Sequence, residues 1–419
     1  MSEPLGTEPY KGVRDFYPEE WARLQSVFAN VRNTLRLYGY EEYNASPLER
    51  AELYESKTSE EIVNEQTYTF TDRGDRRVTL RPEMTPTLAR MVAAKRRELT
   101  FPLRWFSIPN VFRYERPQRG RLREHYQVNV DLIGATEGAE REMIRLVSGV
   151  MKSFNAEDAD YAIRINSRTL MNTACKAVGL TEEETKDYLG LLDRKNKMPA
   201  EKFEEAREPF SKGGMDPLAL ILARTNKDVD AEYETLLALI TTCKNEGIDN
   251  VIFDPTVVRG FLYYTGLVFE VFDTDPENPR ALMGGGRYDG LVSLFGGDAV
   301  PAIGFAFGDV TLVDFLTTHN YLPRASSAPH LFLGIPSKED LPRAEALANL
   351  LRRARISVLV YTGTKGLGDQ IKEASKRGIQ YFAAVGESED TSQSVKLKHL
   401  ESGEERVITY SALSAEVRS

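Results

Sequence analysis

The strongest constraint on how this chain can fold is residues 103–134, LRWFSIPNVFRYERPQRGRLREHYQVNVDLIG, where polar and apolar residues alternate on both sides of a basic turn. Successive side chains of a strand point to opposite faces of its sheet, so this alternation predicts two antiparallel strands with one apolar and one polar face. In the first arm Val111, Arg113 and Glu115 share a face, and Phe112 and Tyr114 take the other. In the return arm His125, Gln127, Asn129 and Asp131 alternate with Tyr126, Val128, Val130 and Leu132. An arginine, two acids, an imidazole and amides on one face suit a small polar ligand with an anionic part, because guanidinium pairs with phosphate in fixed geometry. A solvated sheet face would carry the same residue types. The turn adds local positive charge: residues 113–123 hold five arginines (113, 116, 119, 121 and 123) against one glutamate, in a chain whose formal net charge is -9.

At 419 residues the chain is long enough for two or three domains with substantial cores. No window approaches the ~18 consecutive apolar residues of a membrane-spanning helix, and the opening MSEPLGTEPYKG has no apolar signal core, so cytoplasmic residence without a membrane partner is expected. Cys175 and Cys243 have no CxxC partner, which argues against a disulfide framework. The four histidines (125, 319, 330 and 399) are scattered and leave a structural zinc without a ligand set. The net acidity argues against general nucleic-acid affinity, yet it allows a nucleic-acid partner gripped by confined basic patches.

In chain order, Pro18, Glu19 and Glu20 start a helix over residues 18–38, since proline presets φ and acids favour the N-terminal partial positive charge. Trp21, Leu24, Phe28, Val31 and Leu35 recur at helical spacing and Gly39 closes the element. Residues 67–85 hold two strand-like runs around the turn Asp72-Arg73-Gly74-Asp75. A helix is expected over 138–154 and a strand over 161–166. Residues 167–248, rich in Glu, Lys and Leu and without strand signal, read as an inserted helical subdomain. Sheet-like sequence resumes at NVIFDPTVVRGFLYYTGLVFEVF, where Arg259 stands in an apolar strand segment and needs an anionic partner against its desolvation. In ALMGGGRYDGLV three consecutive glycines, 284 to 286, match neither GxGxxG nor a P-loop, and they allow close backbone approach beneath a ligand. Ser326, Ser327, Ala328 and Pro329 mark a linker. Beyond it, apolar strands near 331–335, 356–361 and 380–385 alternate with helices in a small α/β domain.

These segments resemble one family. Arg113-x-Glu115, the basic loop and Arg121 resemble motif 2 of the class II aminoacyl-tRNA synthetases, and RYERPQRGRLRE resembles the histidyl-tRNA synthetases among them. YEEYNASPLERAELY resembles motif 1 with its proline at Pro47, LRPEMT the LRPE segment, and PAIGFAFGDVTLVDFL motif 3. VRGxxYYTGxVFE and GGGRYDGL resemble the two signatures of the histidyl enzymes, and LGDQIKEASKRGIQYFAAVGESE resembles an anticodon-binding domain. The resemblance implies an α+β fold: an antiparallel-sheet catalytic domain over residues 1–325, with a helical insertion at about 167–248 lying against the acceptor stem, then an anticodon-binding α/β domain over 326–419. It implies that Arg113 binds the ATP α-phosphate and the amino-acid carboxylate, Glu115 reads the adenine amino group, Arg121 contacts the γ-phosphate, and His125 stacks on adenine where Phe is usual. Glu83 and Thr85 would hold the α-amino group of histidine, Tyr263 and Tyr264 would line the imidazole pocket, and Gln127, Asp131 and Tyr288 would also meet the amino acid. Arg259 would be catalytic with Arg113, stabilising charge on the reacting α-phosphate, while Arg116 and Gln118 would meet the acceptor stem. Leu262 stands where Asp is usual, Asp131 where a longer Glu is, and Thr311 where motif 3 has its arginine.

Two functions follow from the resemblance. One is an enzyme that makes histidyl-adenylate from histidine and ATP and passes it to tRNA. The other is the synthetase-like regulatory subunit of ATP phosphoribosyltransferase, which senses histidine without making adenylate. Thr311 and Leu262 lean toward the sensor, whereas the arginine loop, Arg259 and the anticodon domain lean toward the enzyme, which is the reading adopted. It carries ATP with Mg²⁺, L-histidine and histidine tRNA as partners, a homodimer, and no bound zinc or organic cofactor. With Thr311 supplying no charge, Arg121 is expected to hold the γ-phosphate nearly alone, with Arg123, on the same face by the period-two count, as the nearest second donor.

Overall fold

The computed structural model describes residues 5–55, 66–195, 198–259 and 263–417. Leu262, one of the family departures, lies outside the described residues. The chain divides into two compact units, one running mainly to Pro323 and one from Arg324 onward that also takes in Phe16–Arg23.

The first helix, α1 (Pro18–Leu37), has Glu19 and Glu20 in its first turn and, from Leu24 on, where it belongs to the large unit, buries Leu24, Val27, Phe28, Val31 and Leu35 along one stripe. Trp21 departs from that stripe: it is 37% exposed, its ring 5.5 Å from Phe16. After β1 (Glu41–Glu42), β2 (Leu48–Arg50) and α2 (Glu52–Glu55) come β3 (Tyr68–Thr71) and β4 (Arg77–Leu80), ahead of α3 (Thr85–Lys95). β3 and β4 pair antiparallel with Thr71 opposite Arg77, and β2 completes a small sheet on the far side of β4. The turn between them is closed by Asp72, whose carboxylate accepts from the backbone of Gly74 and Arg76.

The strongly alternating stretch forms β5 (Leu103–Ser107), β6 (Asn110–Phe112) and β7 (Glu124–Ile133). Its first arm is thus two short strands, interrupted at Pro109, which has no N–H for the ladder. It ends at Phe112, so Arg113 and Glu115 lie beyond it: the Glu115 N–H turns back onto the Arg113 carbonyl at 2.7 Å. The return arm is continuous. Val128, Val130 and Leu132 are at most 1% exposed on one face, while Asn129 and Asp131 are each 3% exposed on the other. A solvated sheet face is therefore excluded.

There follow α4 (Ala139–Lys152), β8 (Tyr161–Ser167), the helices α5 (Arg168–Val178), α6 (Glu182–Asp193), α7 (Ala200–Arg207), α8 (Pro217–Ala223) and α9 (Lys227–Asn245), and then β9 (Val251–Phe253), β10 (Leu267–Asp273), β11 (Ala281–Arg287), β12 (Ala302–Gly308) and α10 (Asp309–Thr318). The main sheet runs β1-β5-β7-β12-β11-β10-β8-β9 with β6 attached to β7. It is antiparallel throughout its middle and parallel only at its rims, β1 on β5 and β8 on β9. α5 and α9 bury Met171, Cys175, Ile240 and Cys243 in the same apolar cluster as Ile163, Ile165 and Phe269 of the sheet, so these helices extend the core. Both cysteines are free and buried.

The small unit has its own apolar core. β13 (Leu331–Gly334), α11 (Leu341–Arg353), β14 (Val358–Val360), α12 (Leu367–Lys376) and β15 (Tyr381–Ala384) form parallel strands with helical crossovers. α13 (Glu387–Ser392), β16 (Ser394–His399), β17 (Glu405–Thr409) and α14 (Tyr410–Glu416) then add an antiparallel edge. That edge was not among the strands expected from sequence: in β16 only Val395 and Leu397 turn inward, and no residue of β17 is buried, so its apolar signal is short. Among the described residues, no helix is long and apolar enough to cross a membrane.

Candidate functional site

One face of the main sheet opens into a cleft of about 1750 Å³. Strand period places His125, Gln127, Asn129 and Asp131 on its floor, with β6 paired at His125 and β5 and β12 flanking β7 from Asn129 on. Gln127 Oε1 and Asp131 Oδ2 are buried there without a hydrogen-bond partner among the described residues. Buried polar atoms are nearly always bonded, so two bare acceptors on one face of β7 mark a place for a ligand that supplies N–H groups. Asp131 takes a 2.5 Å hydrogen bond from the Tyr288 hydroxyl through its other oxygen. Burial pushes its carboxyl up to about 7, with the Tyr288 bond working against the rise. Burial, then Arg113 and Arg14, push His125 down to about 3, so its ring is neutral at physiological pH.

The LRPE segment supplies the next wall. Glu83 is 3% exposed and accepts from the Tyr263 hydroxyl at 3.1 Å, and Thr85 opens α3 beside it. The Tyr263 ring lies 4.9 Å from Tyr264 and 5.9 Å from Tyr288, a cluster of aromatic faces on this side of the cleft. Arg113 donates through Nε to the Pro82 carbonyl at 2.8 Å, which fixes the direction of its guanidinium.

Arg259 faces the cleft from a loop, not from the strand segment expected for it. β9 ends at Phe253, and Arg259 takes φ +57°, a left-handed conformation that no ladder would supply. Side-chain ties hold it instead. Its Nη1 lies 3.0 Å from Glu270 Oε1 on β10, and Arg168 at the start of α5 donates to its carbonyl at 2.9 Å. A Cβ on Gly284 would collide with its guanidinium, so what the first of the three glycines approaches closely is Arg259 itself. Glu270 and Arg168 were missed in the sequence reading. Glu270 was visible as the acid of VFE, but nothing in its spacing pairs it with an arginine eleven residues earlier in a loop.

At the opposite end, Arg121 Nε lies 2.9 Å from Glu115 Oε2, close in distance but not aligned as a hydrogen bond. Arg123 does not join it. Its guanidinium lies 3.9 Å from the Tyr114 ring centre and donates to the Tyr10 hydroxyl at 3.0 Å, outside the cleft lining. The period-two count fails here because the strand begins only at Glu124. Arg116 and Gln118 are exposed on the turn and also stand outside the cleft. Thr311 lines it from the first turn of α10, its hydroxyl directed at the carbonyls of Gly308 and Leu282. The cleft thus brings together Glu83, Thr85, Arg113, Glu115, Arg121, His125, Gln127, Asp131, Arg259, Tyr263, Tyr264 and Tyr288, together with Arg280, which the sequence reading did not single out. Among the described residues, no group of three or more His, Cys, Asp or Glu is placed to hold a metal ion.

Cations at two walls and bare acceptors on the floor suit a ligand that is anionic at one end and carries N–H donors at the other. Residues 12–311 match a family model described as histidyl-tRNA synthetase, and residues 332–419 match one described as an anticodon binding domain. A histidine–tRNA ligase of Leptospira biflexa is 40% identical over 98% of this chain and 97% of its own length. The crystal structure of histidyl-tRNA synthetase from a Nostoc species superposes with a TM-score of 0.84 at 22% identity, covering 99% of both chains. A structure described as an ATP phosphoribosyltransferase regulatory subunit/histidyl-tRNA synthetase from Bacillus halodurans gives 0.74 at 24% identity, covering 91% of this chain and 98% of its own. At that identity both structural likenesses speak for the fold alone.

Proposed function

The chain belongs to the histidyl-tRNA synthetase family, and from that premise we propose how its own residues ligate L-histidine to tRNA through a histidyl-adenylate made with ATP. In the first step a carboxylate oxygen of histidine bonds to the α-phosphorus of ATP. The bond from that phosphorus to the α,β-bridging oxygen breaks, and its electron pair leaves with pyrophosphate. In the second, a hydroxyl at the 3′ end of the tRNA attacks the acyl carbon and AMP departs. Neither step needs a covalent bond to the protein, so the work is positioning and charge stabilisation.

Arg113 spans the histidine carboxylate and the α-phosphate, and Arg259 stabilises the charge that grows on that phosphate. Glu115 accepts from the adenine amino group while the neutral His125 ring stacks on the base. Gln127 and Asp131 take the imidazole, between the rings of Tyr263, Tyr264 and Tyr288, and Glu83 and Thr85 take the α-ammonium group. ATP enters as its Mg²⁺ complex. Arg116 and Gln118 meet the acceptor end of the tRNA beside the helices of residues 167–248. Residues 1–325 carry the chemistry and residues 326–419 read the anticodon. The protein works in the cytoplasm as a homodimer paired through the segment around Pro47.

The observation that carries this reading is the pair of bare buried oxygens on Gln127 and Asp131, in the same cleft as Arg113 and Arg259. The test is exchange of labelled pyrophosphate into ATP with each of the twenty amino acids in turn. Exchange with histidine alone is expected. No exchange with any amino acid would turn the reading toward a histidine sensor.

A further inference from the structure

At the phosphate end of the cleft stands a cation that none of these roles uses. Arg280 immediately precedes β11 and lines the cleft. Its stem packs on the tip of the basic turn: a Cβ on Gly120, whose φ is +73°, would fall 2.9 Å from Arg280 Cδ and 3.5 Å from Thr311 Cγ2. Arg280, Thr311 and the turn that carries Arg121 therefore converge on one spot. Among the described residues, no carboxylate lies within 4.0 Å of the Arg280 guanidinium. Burial and the like charge of Arg121 both work against its ionisation, with Glu115 opposing them.

The backbone that presents Arg280 is tied down on three sides by Asn278, which is 7% exposed. The Asn278 amide donates to Asp273 at the end of β10 (2.8 Å) and to Thr318 at the end of α10 (3.0 Å). Its carbonyl accepts from Arg119 of the basic turn at 3.1 Å. An arginine positioned this firmly, partly desolvated, beside a second arginine and with no acid of its own, needs an anion to complete it. Thr311 cannot meet that anion with charge, and its hydroxyl already faces two carbonyls.

We propose that Arg280, together with Arg121, grips the outer phosphates of ATP and of departing pyrophosphate, where α10 offers Thr311 in place of a cation. This rests on the reading of the cleft as an adenylation site. The test uses the full chain, with histidine-dependent pyrophosphate exchange and equilibrium binding of ATP and of AMP as separate readouts. Arg280→Ala should raise the KM for ATP and for pyrophosphate roughly 10- to 100-fold, the scale of one lost charge-assisted contact. The KM for histidine and the affinity for AMP, which lacks the outer phosphates, should stay unchanged. Arg280→Lys should recover part of the loss, and so should Thr311→Arg added to Arg280→Ala, since both side chains reach the same spot. An unchanged ATP requirement in Arg280→Ala overturns the assignment, as do parallel losses for ATP and AMP, the mark of a merely structural role. Absence of exchange in the unmutated protein falls on the reading of the cleft instead, so the two failures are told apart.

Discussion

The floor of the cleft and the wall that holds Arg259 position cleft-facing groups by different physical means. On the floor, His125, Gln127, Asn129 and Asp131 are spaced by strand period, and ladders to β6 at His125, to β12 from Gln127 on and to β5 from Asn129 on hold the backbone beneath them. Asp131 also takes a hydrogen bond from Tyr288, but it is the regular backbone that sets where each floor side chain starts. On the wall, Arg259 sits in a left-handed loop and depends on Glu270, on Arg168 and on the bare Cα of Gly284. Floor residues should therefore fail one at a time, whereas the wall should fail as a unit.

The largest effect expected is that of Arg259→Ala, which should lower the adenylation rate by roughly 10² to 10³, the scale of deleting one preorganised donor at a developing oxyanion. Histidine affinity should change little. Near-normal exchange in the folded variant would break the comparison at its strongest point.

Glu270→Gln sharpens it. The isostere keeps the shape but weakens the tie to Arg259, so the exchange rate should drop about tenfold, the worth of one charge-assisted bond in a transition state. Combined with Arg259→Ala it should add almost nothing, because both changes act through one guanidinium. Full additivity of the two losses would show that Glu270 acts on its own.

On the floor, Asp131→Asn should act locally and through pH. The carboxyl sits at about 7 in the folded protein, above its ordinary 3.8. A raised carboxyl contributes stability that is complete below about pH 4 and is lost as pH rises through 7. The ligand-free Asn variant should thus melt higher than the parent at pH 8 and match it near pH 4. Histidine binding runs the other way, since the ionised carboxylate is the better acceptor for an imidazole N–H. The parent's KM for histidine, taken as a ratio to that of the variant, should fall as pH rises from 6 to 8, by at most about tenfold per unit. A flat ratio would remove Asp131 from the amino-acid site.

The smallest effect on exchange is expected from Arg116→Ala and Gln118→Ala, whose side chains stand on the turn outside the cleft. Pyrophosphate exchange should stay within about twofold of the parent while transfer to tRNA slows, as for surface groups away from the reacting atoms. Loss of exchange in either folded variant would show that the turn reaches the reacting atoms.

Much of this was present in the order of residues. Alternation through residues 124–133 determined which side chains share the cleft floor, because a strand's period is two and β7 is unbroken. Acids after Pro18 and an apolar stripe determined α1, and the separate apolar pattern beyond Pro329 determined a second core. Local periodicity carries such information without reference to distant residues. The same logic misplaced Arg123, because period-two counting was carried across a turn where no ladder exists, and it put Arg259 on a strand that ends six residues earlier.

What tertiary structure alone decided are the pairings across long sequence distance. Glu83 meets Tyr263, Arg168 meets the Arg259 carbonyl, and Arg280 meets Gly120 and Thr311 only because the sheet order brings β10, β11 and β12 beside β7 and under the basic turn. A charge in a loop has no period to announce its direction. Whether it lies against an acid, an arginine or open water is set by which backbone folds alongside it, and so the partners of Arg259 and the place of Arg280 could be read only from the assembled fold.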